Sequence, residues 1–411
     1  MIVSRTRVAF FTDTFREING VALTSRQFAD FARRHQIPFL CVRSGPGNRT
    51  SQDGTVTHVE VERGPFGFRL DHNLSYDAAL GRHAKHVEAA LRLFQPDIIH
   101  IVSPGDVSSL GAYLAWRLKV PLAMSWHTNL HEYAAMRLDR SLPWLPGRCR
   151  AWAAGVSESV TLRACLAFYR RGAVLYAPNA ELAAMLREHT GKPVFLMKRG
   201  VDTELFHPSR RTVNDDVLRL GYVGRITPEK SVRFLKELET GLKAAGAPPF
   251  RFLVVGEGAE REWLSQNLDS ADLPGIHRGE ELARDYANMD VFTFPSRTDT
   301  FGNVVLEAFA SGVPAVVTDA GGPRFIVSHD RSGFVARTDS EFIELTACLL
   351  NDAALRSRMA RGAREQALGE SWDDVFRRVY DGYAAVLPGR GGEGTGVFHS
   401  GFCAAAPSSQ A

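Results

Sequence analysis

The stretch DVFTFPSRTDTFGNVVLEAFASGVPAVVTD, residues 290–319, decides the fold. It opens with a short apolar run, DVFTFP (290–295), and closes with another, PAVVTD (314–319). Between them lie a polar loop, SRTDTFG, and a helical segment, NVVLEAFASG, stopped by Gly312 and Pro314. Similar apolar runs recur outward from it. In the first half they are RVAFFTD (7–13), IPFLCVR (37–43), TVTHVEV (55–61), DIIHIVS (97–103), PLAMSWH (121–127), AVLYAPN (173–179) and PVFLMKR (193–199). The series restarts at VLRLGYVG (217–224) and FRFLVVG (250–256) and ends at SGFVA (332–336). Near-continuous apolar strands separated by helices mean parallel sheets covered on both faces. Two doubly wound α/β domains in tandem follow, with a ligand crevice outside the strand C-termini.

The polar stretch HPSRRTVNDD (207–216) reads as the linker, giving expected domains at 1–206 and 207–370. Helical patterns close the chain at about 352–368 and at WDDVFRRVYDGYAAVL (372–387); residues 371–387 are expected to cross back to the first domain. The Gly-, Ser-, Ala- and Pro-rich tail, 388–411, is expected to be disordered.

Composition excludes several classes. With 411 residues, 45% hydrophobic, the chain can bury large cores. A formal charge of +3 argues for no nucleic acid or other polyanionic partner. The charge is uneven: residues 1–205 carry 26 basic and 18 acidic side chains, the remainder 23 and 28. That asymmetry points to an anionic surface facing the first half. Cys41, Cys149, Cys165, Cys348 and Cys403 are scattered, with no C-x-x-C pair, so neither a disulfide framework nor a zinc site is indicated and a cytoplasmic location is expected. The start, MIVSRTRVAFFTDTF, is too short in apolar residues for a signal peptide, and no run approaches a spanning helix. A soluble protein or one peripheral on the inner face of the cell membrane is expected.

Two carboxylates, Asp299 and Glu307, flank the start of the helix in the opening stretch. That start lies at the mouth of the crevice, where free N–H groups of Gly302, Asn303 and Val304 can hold an anion or a hydroxyl-rich ligand. Acids at two depths can accept hydrogen bonds from sugar hydroxyls. Spacing alone leaves open Asp299 as an ordinary helix-start acid and Glu307 as an exposed helix residue. VGRITPEKS places Arg225 and Lys230 around a turn before a helix, which suits a diphosphate, or else two solvated charges. Gly20 sits in the first strand-to-helix loop, where backbone approaches a ligand closely. His127 ends a strand and can face a sugar hydroxyl or serve structure alone; His131 can equally face solvent. The G-E-G of VVGEGAERE lines the nucleotide side of the crevice, and Arg278 is a candidate for the base or a solvated charge. MRLDRSLPWLPGRCRAWAAG (136–155) interleaves Arg137, Arg140, Arg148 and Arg150 with Leu142, Trp144, Leu145 and Trp152. That mixture suits an anionic membrane, the alternative being a core Trp152 beside solvated arginines.

The 290–319 stretch resembles the E-x7-E signature of the retaining glycosyltransferases of family four, with Asp299 standing where the signature usually has Glu. FFTDTFREINGVA (10–22), SWHTNLHEY (125–133), RGVDTELFHP (199–208), GYVGRITPEKSV (221–232) and VVGEGAERE (254–262) match the same family in order. The resemblance covers nearly everything from Arg7 to Leu387. It implies the GT-B fold, two Rossmann-like domains facing a cleft, with the acceptor in the first and a nucleotide-diphosphate sugar in the second. By the same resemblance Gly20, Arg225, Lys230, Asp299, Phe301, Gly302, Asn303, Val304 and Glu307 bind the donor. His127 stands beside the transferred sugar. The nearest relatives it suggests glycosylate lipid or glycan acceptors from GDP-mannose or UDP-hexoses, without a metal and with no covalent nucleophile. The rivals are an epimerase or hydrolase of the same fold, a non-catalytic sugar binder and a Rossmann oxidoreductase. For the last, TDTFREINGV lacks the G-x-G-x-x-G.

Overall fold

The computed structural model describes residues 6–387, apart from 18, 65–66, 72–73, 78, 143 and 145. The tail at 388–411 and Leu145 lie outside the described residues. The first sheet contains β1 (Val8–Thr12), β2 (Phe39–Gly45), β3 (Arg49–Asp53) and β4 (Val56–Glu62). A separate hairpin follows, β5 (Gly67–Asp71) with β6 (Leu74–Asp77). The first sheet then continues with β7 (Ile98–Ile101), β8 (Leu122–Ser125), β9 (Val174–Ala177) and β10 (Val194–Leu196). Its order is β10-β9-β8-β7-β1-β2-β4-β3, and every pair is parallel except β3 with β4. The second sheet is wholly parallel, built from β11 (Leu218–Val223), β12 (Phe250–Val255), β13 (Ala271–Gly275), β14 (Val291–Phe294), β15 (Ala315–Thr318) and β16 (Gly333–Ala336). Its order is β13-β12-β11-β14-β15-β16.

Alternation along β1 explains why both faces of the first sheet are covered. Ala9 and Phe11 enter one core with Ile99, Leu114 and Leu175, while Val8 and Phe10 enter another with Phe28, Phe31 and Phe39. A further core, from Val201 to Ala367, belongs to the second sheet. Strands β3, β13 and the β5–β6 hairpin escape the apolar pattern. The whole of β3 is exposed at a sheet edge, so it carries no buried face to read, and β13 runs through Leu273-Pro274 at the opposite edge of its own sheet.

The last helix, Trp372–Ala384, joins the aromatic core of the first sheet. Phe376 stacks on Phe28 with ring centroids 4.4 Å apart, and the Tyr176 hydroxyl donates to the Val379 carbonyl at 2.7 Å. The chain thus crosses between sheets twice, and the two crossings run side by side. Val201 N–H donates to the Glu370 carbonyl at 3.0 Å, and Lys198 pairs with Glu370 at 3.0 Å. The loops at the C-terminal ends of β8 and β14 meet between the two sheets, where the Thr300 hydroxyl donates to the His127 carbonyl.

Candidate active site

The opening stretch folds as a strand (β14), a loop and the helix Asn303–Ala310. Gly302 lets the loop turn: its φ is +99°, and a Cβ there would lie 2.9 Å from the Pro323 ring. The loop carries Asp299 to the turn that follows β11, where Lys230 Nζ donates to Asp299 Oδ1 at 2.7 Å. Lys230 is buried, and Asp299 Oδ2 is buried without a hydrogen-bond partner among the described residues. Burial pushes the Asp299 carboxyl up, but the Lys230 ammonium, with smaller contributions from Ser296 and Arg225, more than offsets it and holds the group below its ordinary value. Arg225 lies on the same turn, its carbonyl accepting from the Tyr222 hydroxyl at 2.8 Å and its guanidinium 3.4 Å from Glu229. Each cation therefore stands beside an acid, and the turn presents two positive charges at the end of the sheet.

Glu307 lies one turn into the helix and points toward the helix Gly279–Ala287, where the Tyr286 hydroxyl donates to it at 2.8 Å. Burial raises its carboxyl to about 7, against the opposing pull of Tyr286. The G-E-G glycines pack closely against the Arg225 turn. At Gly256, φ is +145° and a Cβ would lie 1.9 Å from the Gly224 carbonyl oxygen. Ile226 N–H donates to the Glu257 carbonyl at 2.9 Å, so the loop braces the Arg225 turn from behind.

The first domain meets this loop directly. His127 follows β8 and is buried, and its backbone carbonyl accepts from the Thr300 hydroxyl at 2.9 Å. Asn179 Nδ2 donates to the Thr300 carbonyl at 3.2 Å. Gly20, the first residue of the helix Gly20–Arg34, packs near Asn303: a Cβ on it would lie 3.3 Å from Asn303 Nδ2. Phe301 lies across the seam from Arg199, ring centroid to guanidinium 5.8 Å, and Arg199 hydrogen-bonds His127 Nδ1. Burial, Arg199 and His100 together hold the His127 imidazole well below its ordinary pKa, so it is neutral. Its Nε2 and the Asn303 amide nitrogen, like Asp299 Oδ2, are buried with no partner among the described residues. The seam thus gathers His127, Gly20, Asp299, Phe301, Gly302 and Asn303, with Lys230 paired to Asp299, Arg225 on the Lys230 turn, and Glu307 one helical turn beyond Asn303.

Val304, the next helix residue, packs against the second core. His131 is buried against Trp126, ring centroids 6.0 Å apart, rather than facing solvent. Arg278 is an exposed residue at the start of the helix Gly279–Ala287. Thr300, Asn179, Tyr286 and Arg199 were not singled out by the sequence reading. Each acts through a partner remote in the chain, and only RGVDTELFHP, as a block, pointed toward Arg199.

Two family models match the chain, "Glycosyltransferase Family 4" over residues 18–205 and "Glycosyl transferases group 1" over residues 218–352. A GDP-mannose-dependent alpha-mannosyltransferase of Mycobacterium tuberculosis is 31% identical over 92% of this chain and 97% of that protein. The chain belongs to glycosyltransferase family 4. As a member it is an enzyme that transfers a hexose from a nucleotide sugar. A second relative, the sulfoquinovosyl transferase SQD2 of Arabidopsis thaliana, is 31% identical over 72% of this glycosyltransferase and 58% of its own length. Among solved structures, the sucrose-phosphate synthase of Thermosynechococcus elongatus superposes with a TM-score of 0.71 at 17% identity, covering 92% of this glycosyltransferase and 98% of that chain. HepE of Anabaena, in complex with UDP and glucose, gives 0.64 at 16% identity over 92% and 100%. These likenesses establish the GT-B fold.

The stretch at 136–155 builds a helical hairpin. Helices Leu130–Ser141 and Gly147–Tyr169 pack on each other, and the longer one buries only Cys165, Leu166 and Tyr169. Trp152 is 72% exposed, Val160 60% and Trp144 74%. The four-residue spacing of Trp152, Val156 and Val160 sets them in one stripe on the helix surface. Arg148 is exposed in the first turn, and Arg150 pairs with Asp139 at 2.7 Å. The reading of Trp152 as a core residue is therefore excluded. No helix among the described residues is long and apolar enough to cross a membrane.

Proposed function

We propose that this glycosyltransferase moves mannose from GDP-mannose, with retention at the anomeric carbon, to an acceptor carried on an anionic membrane. The observation that carries the reading is the seam, where a carboxylate loop tied to Lys230 meets a neutral, buried imidazole from the other domain. In this reading the bond from sugar C1 to the diphosphate oxygen breaks while a bond forms from the acceptor hydroxyl to C1 on the same face. The hydroxyl proton passes to the leaving phosphate oxygen. Arg225 and Lys230 stabilise the charge that grows on the diphosphate, without need of a metal ion. Asp299, Glu307 and His127 hydrogen-bond sugar hydroxyls, and the N–H groups at Gly302, Asn303 and Val304 face the donor. Support for mannose over other hexoses comes from the mannosyltransferase relatives. Support for a membrane acceptor comes from the exposed Trp152 stripe and the basic balance of the first half.

Thermal stabilisation by a panel of nucleotide sugars tests the donor. At about a hundredfold excess over Kd, GDP-mannose is expected to raise the melting temperature by roughly 5 °C or more. Stabilisation by a UDP-hexose alone would overturn the choice of donor. No stabilisation by any nucleotide sugar would overturn the donor site.

A further inference from the structure

Arg199 is 3% exposed and lies in the first of the two crossings between domains. Its guanidinium donates to the carbonyls of Met197 and Lys198 at 3.2 and 3.3 Å and to His127 Nδ1. No carboxylate among the described residues pairs with it. A charge buried at that cost needs a reason beyond packing, since an apolar side chain of similar volume is usually tolerated as well or better. The reason lies in what a guanidinium cannot do. It has five N–H donors and no acceptor, so Nδ1 of His127 must be the acceptor in their hydrogen bond. A neutral imidazole that accepts at Nδ1 carries its proton on Nε2. Nε2 is the buried atom of the seam that has no partner among the described residues. The positive charge alongside also opposes protonation of the ring, and burial leaves the guanidinium itself charged at neutral pH, at about 10.

We propose that Arg199 is a positioning residue that locks His127 as the Nε2–H tautomer, so that the imidazole presents to the transferred sugar a hydrogen-bond donor and never a cation or an acceptor. The inference rests on the reading of His127 as a sugar-facing residue. A donor fixed in this way selects a hydroxyl oxygen that can accept. It also adds no positive charge where the sugar ring becomes an oxocarbenium, a charge that a protonated imidazole would oppose. Arg199 further couples this choice to domain closure, because Phe301 from the other domain covers the guanidinium and Thr300 grips the His127 carbonyl. The titratable and charged groups that act on the ring are Arg199 and His100, the latter itself buried and held neutral, near 3.

The test reads the tautomer directly. Nitrogen-15 spectra of the histidine-labelled full chain, with His127 assigned by its loss in His127→Gln, report which ring nitrogen is protonated from pH 5.5 to 8. The expected wild-type result is a protonated Nε2 and a bare Nδ1 throughout. A wild-type ring that is Nδ1–H, or that titrates in this range, would overturn the proposal. Arg199→Met is expected to free Nδ1, so that the Nδ1–H tautomer appears beside Nε2–H and the ring's pKa moves upward, while burial, the larger cause of its depression, still holds it below the ordinary value. Its kcat/KM with GDP-mannose, relative to wild type at the same pH, should fall severalfold, and further at pH 5.5 than at pH 8. Arg199→Lys, which keeps a charged donor, should show a smaller fall. A pH-independent loss in both variants with an unchanged tautomer would reduce Arg199 to a structural residue and also overturn the proposal. If the lock is seen but His127→Gln turns over at the wild-type rate, the lock stands and the sugar-facing reading of His127 fails instead.

Discussion

The donor seam and the helical hairpin are mismatched to their surroundings in opposite senses. At the seam, polar atoms are buried without partners among the described residues: His127 Nε2, Asp299 Oδ2 and Asn303 Nδ2. On the hairpin, large apolar groups stand in water: Trp144, Trp152 and Val160. Folding alone favours neither arrangement. A buried unpaired polar group costs about 1–3 kcal/mol, and an exposed indole forgoes burial of comparable worth. In the function proposed for this enzyme each region is completed by something the chain does not itself contain, a hydroxyl-rich anion in one case and an apolar, anionic surface in the other. The two lie on different elements, so they are expected to fail separately.

The sharpest break between them is Lys230→Ala. Loss of a charge-assisted contact to the leaving diphosphate is expected to lower turnover about a hundredfold while vesicle binding stays at the wild-type level. The variant also strands the Asp299 carboxylate, so its melting temperature is measured alongside to separate lost chemistry from lost stability. Next in size is the reverse case. Arg148→Glu together with Arg150→Glu is expected to weaken co-sedimentation with acidic vesicles at low salt by more than about tenfold, at roughly 1 kcal/mol for each basic residue near the surface. Turnover on a water-soluble acceptor should not change. A fall in both readouts for either variant would merge the two regions into one.

A smaller effect separates the acids within the seam. The Glu307 carboxyl, raised to about 7, is ionised above that pH and protonated below it. Donor affinity is therefore expected to weaken severalfold from pH 8 to pH 6, as one carboxylate oxygen becomes an O–H donor and the negative charge is lost, and Glu307→Gln should abolish this dependence. Tyr286→Phe removes the hydrogen bond that favours the carboxylate and should move the midpoint upward; a downward shift would contradict the assigned cause. Last comes an expected null effect. EDTA should leave turnover unchanged, since Arg225 and Lys230 supply the charge a divalent ion would bring, and loss with rescue by magnesium would refute that.

The two regions also differ in how they could be read from the sequence. Donor-loop strands announce themselves because parallel strands buried on both faces are continuous apolar runs, as in VFTF of β14 and AVVT of β15. The placement of Asp299, Glu307, Arg225 and Lys230 was legible because it follows from position relative to a strand end and a helix start. Arg199 was not, because its meaning lies in burial and in a partner 72 positions away. Thr300, Asn179 and Tyr286 were missed for the same reason: a short polar residue gives no local sign of the remote group it will bond. The hairpin was half legible. Its mixture of Trp and Arg could be counted, but whether Trp152 faced core or water depended on the packing of a helix whose first four turns bury nothing. Edge strand β3, wholly polar and exposed, left no pattern at all.

The central claim is that one donor is held by groups from both domains across the seam. Calorimetric titration of GDP-mannose into the wild type, His127→Ala and Lys230→Ala, all at pH 8, tests it most directly. The account predicts that both variants bind at least about tenfold more weakly, although one residue stands in the first domain and the other in the second. Wild-type affinity in His127→Ala, with Lys230→Ala impaired, would confine the donor to the second domain and contradict the account.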